Sequence, residues 1–211
     1  LHRLIRRQRQ MCIRDRDKAF KTMMTSGILD SMKLSAFAKK FFSEDFAMAD
    51  IPEEYYSEKD GVKLMSSGKI HKANEGCACT MNSILEQFVA HLTLAEDEIA
   101  LLDMEAGVEH FGRGTDNSVD GILMIVDPSF ESLRLSAKIA DLSTSIGKPI
   151  WFCLNKLTEE TVQMMEEEVG KHGAIIGRMP LNHDLALAGL TGTELQMTIA
   201  PISEMAQFLT Q

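Results

Sequence analysis

Long apolar runs, aromatic residues and paired cysteines are all scarce in this 211-residue sequence. No stretch approaches the roughly 18 uninterrupted apolar residues of a membrane-spanning helix, which excludes an integral membrane protein of that kind. Aromatic residues make up only 6 % of the chain, whereas methionine occurs 14 times, a composition that suggests adaptable packing. Cys12 lies in an Arg-rich N-terminal stretch, and the odd number of remaining cysteines (Cys77, Cys79 and Cys153) argues against a disulfide framework. We therefore expect a reducing cytoplasm as the location.

Several common catalytic motifs are also absent. The sequence contains no H-E-x-x-H, no G-x-S-x-G and no G-x-G-x-x-G. These absences argue against a zinc protease of that class, an α/β-hydrolase and a dinucleotide-dependent dehydrogenase.

Basic charge is confined to the N-terminal end of an otherwise acidic chain. Residues 1–16 carry a net charge of +5, whereas residues 17–211 carry −14. The acidic body predicts no nucleic-acid partner, because non-specific binding to nucleic acid needs a basic surface. Residues 1–16 lack an initiator Met and the apolar core of a secretory signal, and their MCIRDR stretch resembles translated adapter sequence. We interpret them as a non-native Arg-rich leader, and residues 17–211 as one domain whose native N-terminus is cut off upstream.

Short apolar runs alternate with amphipathic helical patterns through most of the sequence. The runs predict strands at residues 62–65, 99–102, 121–126, 150–154 and from 174 to about 179. The helical periodicity predicts helices at residues 17–50, 80–92 (capped by Thr80), 129–146, 158–171 and 197–209, with a polar connector at 51–61. Apolar strands that alternate with helices indicate a parallel sheet covered on both faces. We therefore predict a three-layer α/β fold.

Polar residues and a proline follow the apolar runs at the predicted strand ends. These residues are Asp103, Asp127, Asn155 and Pro180. In open α/β sheets, ligands bind beyond the carboxyl ends of the strands. The sequence therefore predicts a ligand site at this edge of the sheet.

The LLDMEAG segment at residues 101–107 is the sharpest local signal. A carboxylate at Asp103 could hold Mg²⁺ against the phosphates of a nucleotide, and Gly107 would let the backbone approach a γ-phosphate. The alternative is an aspartate that merely ends a strand. The companion phosphate loop, G-x-x-x-x-G-K-[ST], is missing, since Gly68-Lys69 is followed by Ile70 and Gly147-Lys148 by Pro149.

Asn155-Lys156 follows the predicted strand at residues 150–154 and is typical of a base-recognition corner. A guanine site would need an aspartate two residues later, where this chain has Thr158, so adenine is favoured. The alternative interpretation is a solvated turn.

Cys77-Ala78-Cys79 precedes the predicted helix at residues 80–92. Two thiols at this spacing can chelate Zn²⁺ or Ni²⁺, and the helix N-terminus would lower their pKa values. Two thiolates do not complete a tetrahedral site, but a twofold dimer could supply the same pair from each chain. The alternative is a chance pair of reduced structural thiols.

Two stretches together resemble a known family. GCACTMNSILEQFVAHL, followed by DEIALLDMEAGVEHFGRGTDNSVDGILMIVDPS, is similar to the CooC-type accessory ATPases that assist nickel insertion into carbon monoxide dehydrogenase. These proteins are MinD/ParA-like, deviant P-loop ATPases. The resemblance runs from about residue 50 to near the C-terminus and implies a P-loop NTPase-like, Rossmann-like fold for residues 17–211.

The resemblance also implies an activity and a set of site residues. It implies a cytoplasmic, ATP-dependent homodimer that delivers Ni²⁺ to its client enzyme, carbon monoxide dehydrogenase or a related nickel enzyme, and binds neither nucleic acid nor membrane. By matching position, the interfacial metal pair is Cys77 and Cys79, and Asp103 falls in the switch that senses Mg²⁺ and the γ-phosphate. Asn155 matches the adenine-contacting position, and Met179-Pro180-Leu181 matches a second loop beside the adenine.

One departure from the family bears on activity. Its glycine-rich phosphate loop, and the strand that carries its catalytic aspartate, should precede residue 17 and are absent. We therefore expect this sequence to be truncated, lacking its N-terminal strand and P-loop, and to neither bind ATP tightly nor hydrolyse it, although its parent would. Two other functions stay open: a MinD/ParA-like positioning ATPase, which has no use for the Cys pair, and a non-enzymatic dimeric metal-binding module.

Overall fold

The computed structural model describes residues 2–5, 45–65, 79–104, 118–195 and 197–210. The chain divides into two compact units, Leu1–Ser118 and Val119–Gln211. Within the described ranges, no helix combines the length and apolarity that crossing a bilayer requires.

The described residues of the first unit form six short strands, one α-helix and two 3₁₀ turns. The strands are β1 (His2–Ile5), β2 (Phe46–Ala47), β3 (Ser57–Lys59), β4 (Val62–Met65), β5 (Leu92–Thr93) and β6 (Ile99–Leu102). The helix is α1 (Cys79–His91), and the 3₁₀ turns are Met48–Asp50 and Glu53–Tyr55.

The strands described in the first unit form two sheets. A four-stranded sheet has the order β3-β4-β1-β6, in which β1 runs parallel to both β4 and β6. A second, two-stranded sheet pairs β2 with β5 in parallel. The predicted strands at residues 62–65 and 99–102 are confirmed as β4 and β6. Strand β1 lies within the stretch interpreted as an Arg-rich leader, for which the sequence analysis predicts no strand.

Two further predictions for the first unit need correction. The predicted helix at residues 17–50 is wrong at its C-terminal end, where β2 pairs with β5 and the Phe46 ring lies 5.2 Å from the Phe88 ring. Its earlier part falls outside the described residues. The predicted polar connector contains β3, which joins β4 through Asp60-Gly61, whose φ angles of 52° and 76° suit a tight hairpin turn.

One buried cluster of the first unit, among its described residues, contains two methionines. Met48, Met65 and Phe88 are buried, and apolar residues of α1 pack against them. These residues include Leu85 and Val89, as the helical periodicity predicts. Thr80 does not cap the helix, because α1 already begins one residue earlier.

The second unit is a parallel α/β unit. Its strands are β7 (Ile122–Val126), β8 (Ile150–Leu157) and β9 (Ala174–Pro180), paired in that order and all parallel. Its helices are α2 (Phe130–Ser145), α3 (Val162–Val169), α4 (His183–Thr191) and α5 (Ala200–Leu209).

Helices cover both faces of this three-stranded sheet. On one face, α5 packs against β9, and its Met205 joins Cys153 and Met179 in a buried cluster. Phe152 and Leu154, both fully buried, alternate with Cys153 along β8 and therefore face the opposite side, where α2 and α3 pack. The prediction of a three-layer α/β fold is thereby confirmed.

The second unit departs from its predicted elements in several places. Strand β8 runs to Leu157, beyond the predicted end at residue 154, and α3 begins at Val162, four residues later than predicted. Helix α4 was not predicted. It begins after Asn182, whose Oδ1 accepts a hydrogen bond from the Leu185 backbone N–H at 2.9 Å.

Candidate functional site at the carboxyl edge of the second sheet

The carboxyl ends of β7, β8 and β9 meet at one edge of the second unit, since the three strands are parallel. Val126, the last residue of β7, pairs with Leu154, so Asp127 follows beside Asn155. Leu157 at the end of β8 pairs with Pro180 at the end of β9. This edge therefore brings together the predicted residues of the second unit.

Strand β8 carries a bulge at this edge. Leu154 pairs with Arg178 and Leu157 with Pro180, so Asn155 and Lys156 together oppose the single residue Met179. The prediction that Asn155-Lys156 follows the strand is wrong, because the pairing resumes at Leu157. Bulges of this kind redirect side chains and are frequent next to functional sites.

Lys156 adopts a left-handed backbone conformation in this bulge. Its φ angle is 55°, in a region that glycine occupies without cost and that other residues rarely enter. Residues held in such conformations cost about 1–3 kcal/mol each and cluster at functional sites. The backbone strain at Lys156 therefore makes this edge a candidate functional site independently of any sequence motif.

Asp127 connects the two bulge residues. The Asn155 amide donates from Nδ2 to Asp127 Oδ1 at 2.8 Å, and the Lys156 ammonium donates to Asp127 Oδ2 at 2.5 Å. The Lys156 side chain is 55 % exposed and that of Asp127 38 %. At this exposure an ion pair contributes at most about 1 kcal/mol to stability.

The local sequence explains why Asp127 stays at the edge. Ser129 caps α2, with its Oγ accepting from the Ser132 backbone N–H at 3.2 Å. The Ser129 backbone N–H in turn donates to the Asp127 carbonyl at 2.8 Å. The backbone of Asp127 is therefore fixed between the end of β7 and the capped start of α2. Sequence reasoning placed Asp127 at a strand end but gave it no role in the site.

The three residues of the predicted loop, Met179, Pro180 and Leu181, differ in solvent exposure. The Met179 side chain is buried in the cluster with Cys153 and Met205, so it cannot contact a ligand at the surface. Pro180 and Leu181 are exposed, and the Leu181 backbone N–H donates to the Leu157 carbonyl at 2.9 Å. Of the three, these two have side chains that can reach a ligand.

Two titratable groups near the edge have shifted pKa values. Burial raises the pKa of the Cys153 thiol to about 11, so the thiol is protonated at neutral pH. A hydrogen bond with the Thr158 side chain, in the turn after β8, lowers the pKa of Glu160. Neither group contacts Asp127 in the part of the chain described.

The other predicted site residues lie in the first unit or outside the described residues. Asp103 is exposed and directly follows β6, as the LLDMEAG pattern predicts. Cys79 is the first residue of α1. Cys77 and Gly107 fall outside the described residues. No group of three or more His, Cys, Asp and Glu side chains able to hold a metal ion occurs in the ranges that the structure covers.

Comparison with known proteins identifies the family. No protein-family profile matches the chain. It is 38 % identical over 179 residues to the uncharacterized ATP-binding protein MJ0084 of Methanocaldococcus jannaschii, an alignment that covers 85 % of this chain and 72 % of that protein. The chain belongs to the same family as this ATP-binding protein, in agreement with the resemblance to CooC-type proteins drawn from the sequence.

Two further similarities concern part of the sequence and the fold. The carbon monoxide dehydrogenase accessory protein CooC of Rhodospirillum rubrum is 38 % identical over 109 residues, which is 51 % of this chain and 41 % of that protein. The MinD cell division protein of Aquifex aeolicus has the same fold, with a TM-score of 0.53 at 16 % identity over 99 % of this chain and 95 % of that one.

Proposed function

We propose that this protein is an ATP-dependent nickel-insertion factor for carbon monoxide dehydrogenase or a related nickel enzyme. The observation that carries the proposal is the 38 % identity to the accessory protein of Rhodospirillum rubrum, in a chain that also contains the Cys77-Ala78-Cys79 pair. A positioning ATPase of MinD/ParA type has no use for that pair.

The second unit is proposed to bind the adenine of ATP at the carboxyl edge of its sheet. Asn155, Pro180 and Leu181 would contact the base, with Lys156 beside them.

A separate proposal concerns the first unit. Asp103 would hold Mg²⁺, because a carboxylate oxygen is the kind of ligand that this hard cation prefers. Bound Mg²⁺ would offset the negative charge of the phosphates. Gly107 would let the backbone approach the γ-phosphate.

The metal cargo is proposed to bind at a homodimer interface. Cys77 and Cys79 from each protomer together supply four thiolates, which completes a tetrahedral set for Ni²⁺ or Zn²⁺. The position of Cys79 at the start of α1 supports this role, because a helix N-terminus lowers the pKa of a nearby thiol. The thiolate is the form that binds metal.

The proposed setting is the cytoplasm, without nucleic acid or membrane as a partner. The acidic charge of residues 17–211 and the odd number of cysteines outside the N-terminal stretch support this setting. The client would be the nickel enzyme itself.

Metal stoichiometry tests the proposal most directly. The protein, expressed from its complete source gene, is titrated with Ni²⁺ and Zn²⁺ while its mass in solution is followed, with and without ATP. We expect one metal ion per two chains, with ATP favouring the dimer. The variant Cys77→Ser/Cys79→Ser should lose the metal. Cys153→Ala is the matched control, because that cysteine is 1 % exposed and should leave binding unchanged.

Three outcomes would contradict the proposal in different ways. Stoichiometric metal binding by the double serine variant would show that the site is wrong. ATP binding without metal binding would favour a MinD/ParA-like positioning ATPase. Metal binding by a dimer that takes up no ATP would favour a non-enzymatic metal-binding module.

A further inference from the structure

We propose that Asp127 is a positioning residue that makes the nucleotide site selective for adenine over guanine. The inference rests on the proposed function, namely that the carboxyl edge of the second sheet binds the base of a nucleotide. It concerns a residue to which neither the sequence patterns nor the family resemblance assigned a role.

The first step is the orientation of the Asn155 amide. An ionised carboxylate only accepts hydrogen bonds, so Asn155 must present its NH₂ group to Asp127. The Nδ2 to Oδ1 distance of 2.8 Å is that of a well-formed hydrogen bond. The carbonyl Oδ1 of Asn155 is therefore the end of the amide that is turned away from Asp127.

The second step is the engagement of Lys156. Its ammonium donates to the other oxygen of Asp127, so one carboxylate accepts from both polar side chains of the bulge. The Lys156 backbone is left-handed, with a φ of 55°, in the same bulge from which both side chains donate to Asp127. Asp127 thus turns the donor groups of both side chains toward itself and leaves the Asn155 carbonyl oxygen as the outward end of the amide.

The third step is the chemistry of the two purines. Adenine carries an amino donor at the position where guanine carries the O6 acceptor. A carbonyl oxygen at Asn155 can accept from the adenine amino group, but it would face guanine O6 with lone pair against lone pair. Released NH₂ and ammonium donors would instead suit guanine O6. By engaging both donors, Asp127 selects for adenine.

The test is the ratio of ATP affinity to GTP affinity. The protein from its complete source gene is titrated calorimetrically with Mg²⁺-ATP and Mg²⁺-GTP, as wild type and as Asp127→Asn. The asparagine side chain can donate to Asn155 Oδ1, which lets the Asn155 amide turn over, and it releases Lys156. We expect the ratio to fall at least about tenfold, within the range that a site's hydrogen-bonding groups supply.

Two further variants separate base selection from a general structural effect. Asp127→Glu keeps an acceptor-only side chain and should retain most of the preference for ATP. Glu168→Gln removes a similarly exposed ion pair of the same unit, between Glu168 and Lys171 at 2.6 Å, and should leave the ratio unchanged. Circular dichroism of each variant checks that it is folded.

The possible failures are distinguishable. If wild type binds neither nucleotide, the proposed function fails and this inference fails with it. If wild type prefers ATP and Asp127→Asn keeps the same ratio, only the inference is overturned. If wild type binds ATP and GTP equally well, nucleotide binding stands but selection by Asp127 is overturned.

Discussion

Met205 of α5 fills the space directly above Gly177 of β9. A Cβ at Gly177 would overlap the Met205 Sδ, and it would lie 2.9 Å from both Met205 Cγ and Cys153 Sγ. Because two side chains crowd the same point, a turn of one methionine terminus would not make enough room. The absence of a side chain at Gly177 is therefore what lets α5 pack on the sheet.

Gly177→Ala should destabilise the protein by about 1–3 kcal/mol, the usual cost of overpacking a filled core. The free energy of unfolding in urea measures this cost. Gly189→Ala is the matched control, because a Cβ there meets nothing within 4 Å. In helix α4 that change should be neutral or stabilising by up to about 1 kcal/mol. Equal effects of the two substitutions would contradict this account of the packing.

The stability of the protein should fall between about pH 9 and pH 11 because of Cys153. Burial raises the pKa of its thiol from 9.0 to about 11. Between these values the unfolded chain has lost the proton and the folded chain still holds it, so rising pH favours unfolding. Below pH 9 both states hold the proton, and this contribution is constant.

Urea midpoints at pH 8, 9, 10 and 11 check this prediction. Cys153→Ala removes the titrating thiol and leaves the other titratable side chains in place. The urea midpoint of this variant should be lower than that of the wild type at pH 8. Above pH 9 its midpoint should decline less steeply with pH. Parallel curves would mean that the buried thiol titrates normally.

Asn182→Ala should shorten or loosen α4, at a cost of about 1 kcal/mol. The reason is the loss of the hydrogen bond in which Asn182 Oδ1 accepts from the Leu185 backbone N–H. Asn182→Ser keeps a capping oxygen and should recover most of the stability. Thermal unfolding of the three proteins measures their stability, which should decrease from wild type to Asn182→Ser to Asn182→Ala.

Lys156→Gly should give a more stable protein than Lys156→Ala, by about 1 kcal/mol. Both variants lose the exposed ion pair with Asp127, but only glycine tolerates a φ of 55° without steric cost. Urea unfolding compares the two variants directly. If alanine proved the more stable, the left-handed conformation of Lys156 would be contradicted.

The regular elements were predictable where the apolar runs were continuous. Residues 99–102 form β6 with the predicted bounds, and residues 122–126 form β7 one residue inside them. A strand covered on both faces needs apolar residues at every position, and that requirement leaves a plain signal in the sequence. The hairpin between β3 and β4 also had a signal, Asp60-Gly61, which the sequence analysis did not use.

Other features left no clear signal in the sequence. The bulge in β8 has lysine at the position where glycine would have marked a left-handed residue. Helix α4 contains no buried residue and depends on an asparagine cap rather than on a strong apolar stripe.

The sequence predicted which residues lie at the strand ends, but not the hydrogen bonds and the burial that relate them. The position of Asn155 near the carboxyl end of a strand was predictable from the apolar run before it. The hydrogen bond from Asn155 to Asp127 depends on the register between β7 and β8, in which Val126 lies opposite Leu154. Register is a property of strand pairing, and the two residues are 28 positions apart in the chain. The burial of Met179 likewise depends on α5, which the local pattern does not include.

The left-handed backbone at Lys156 has a consequence for protein engineering. A screen for thermostable variants that scores folding alone should enrich glycine at this position. The enriched variants would lose the ammonium that Asp127 holds at the sheet edge. Such a gain in heat tolerance at the expense of a group proposed to act in binding is a recurrent outcome of stability selection. A library built on this protein should therefore keep position 156 constant, or be screened for nucleotide preference as well as for melting temperature.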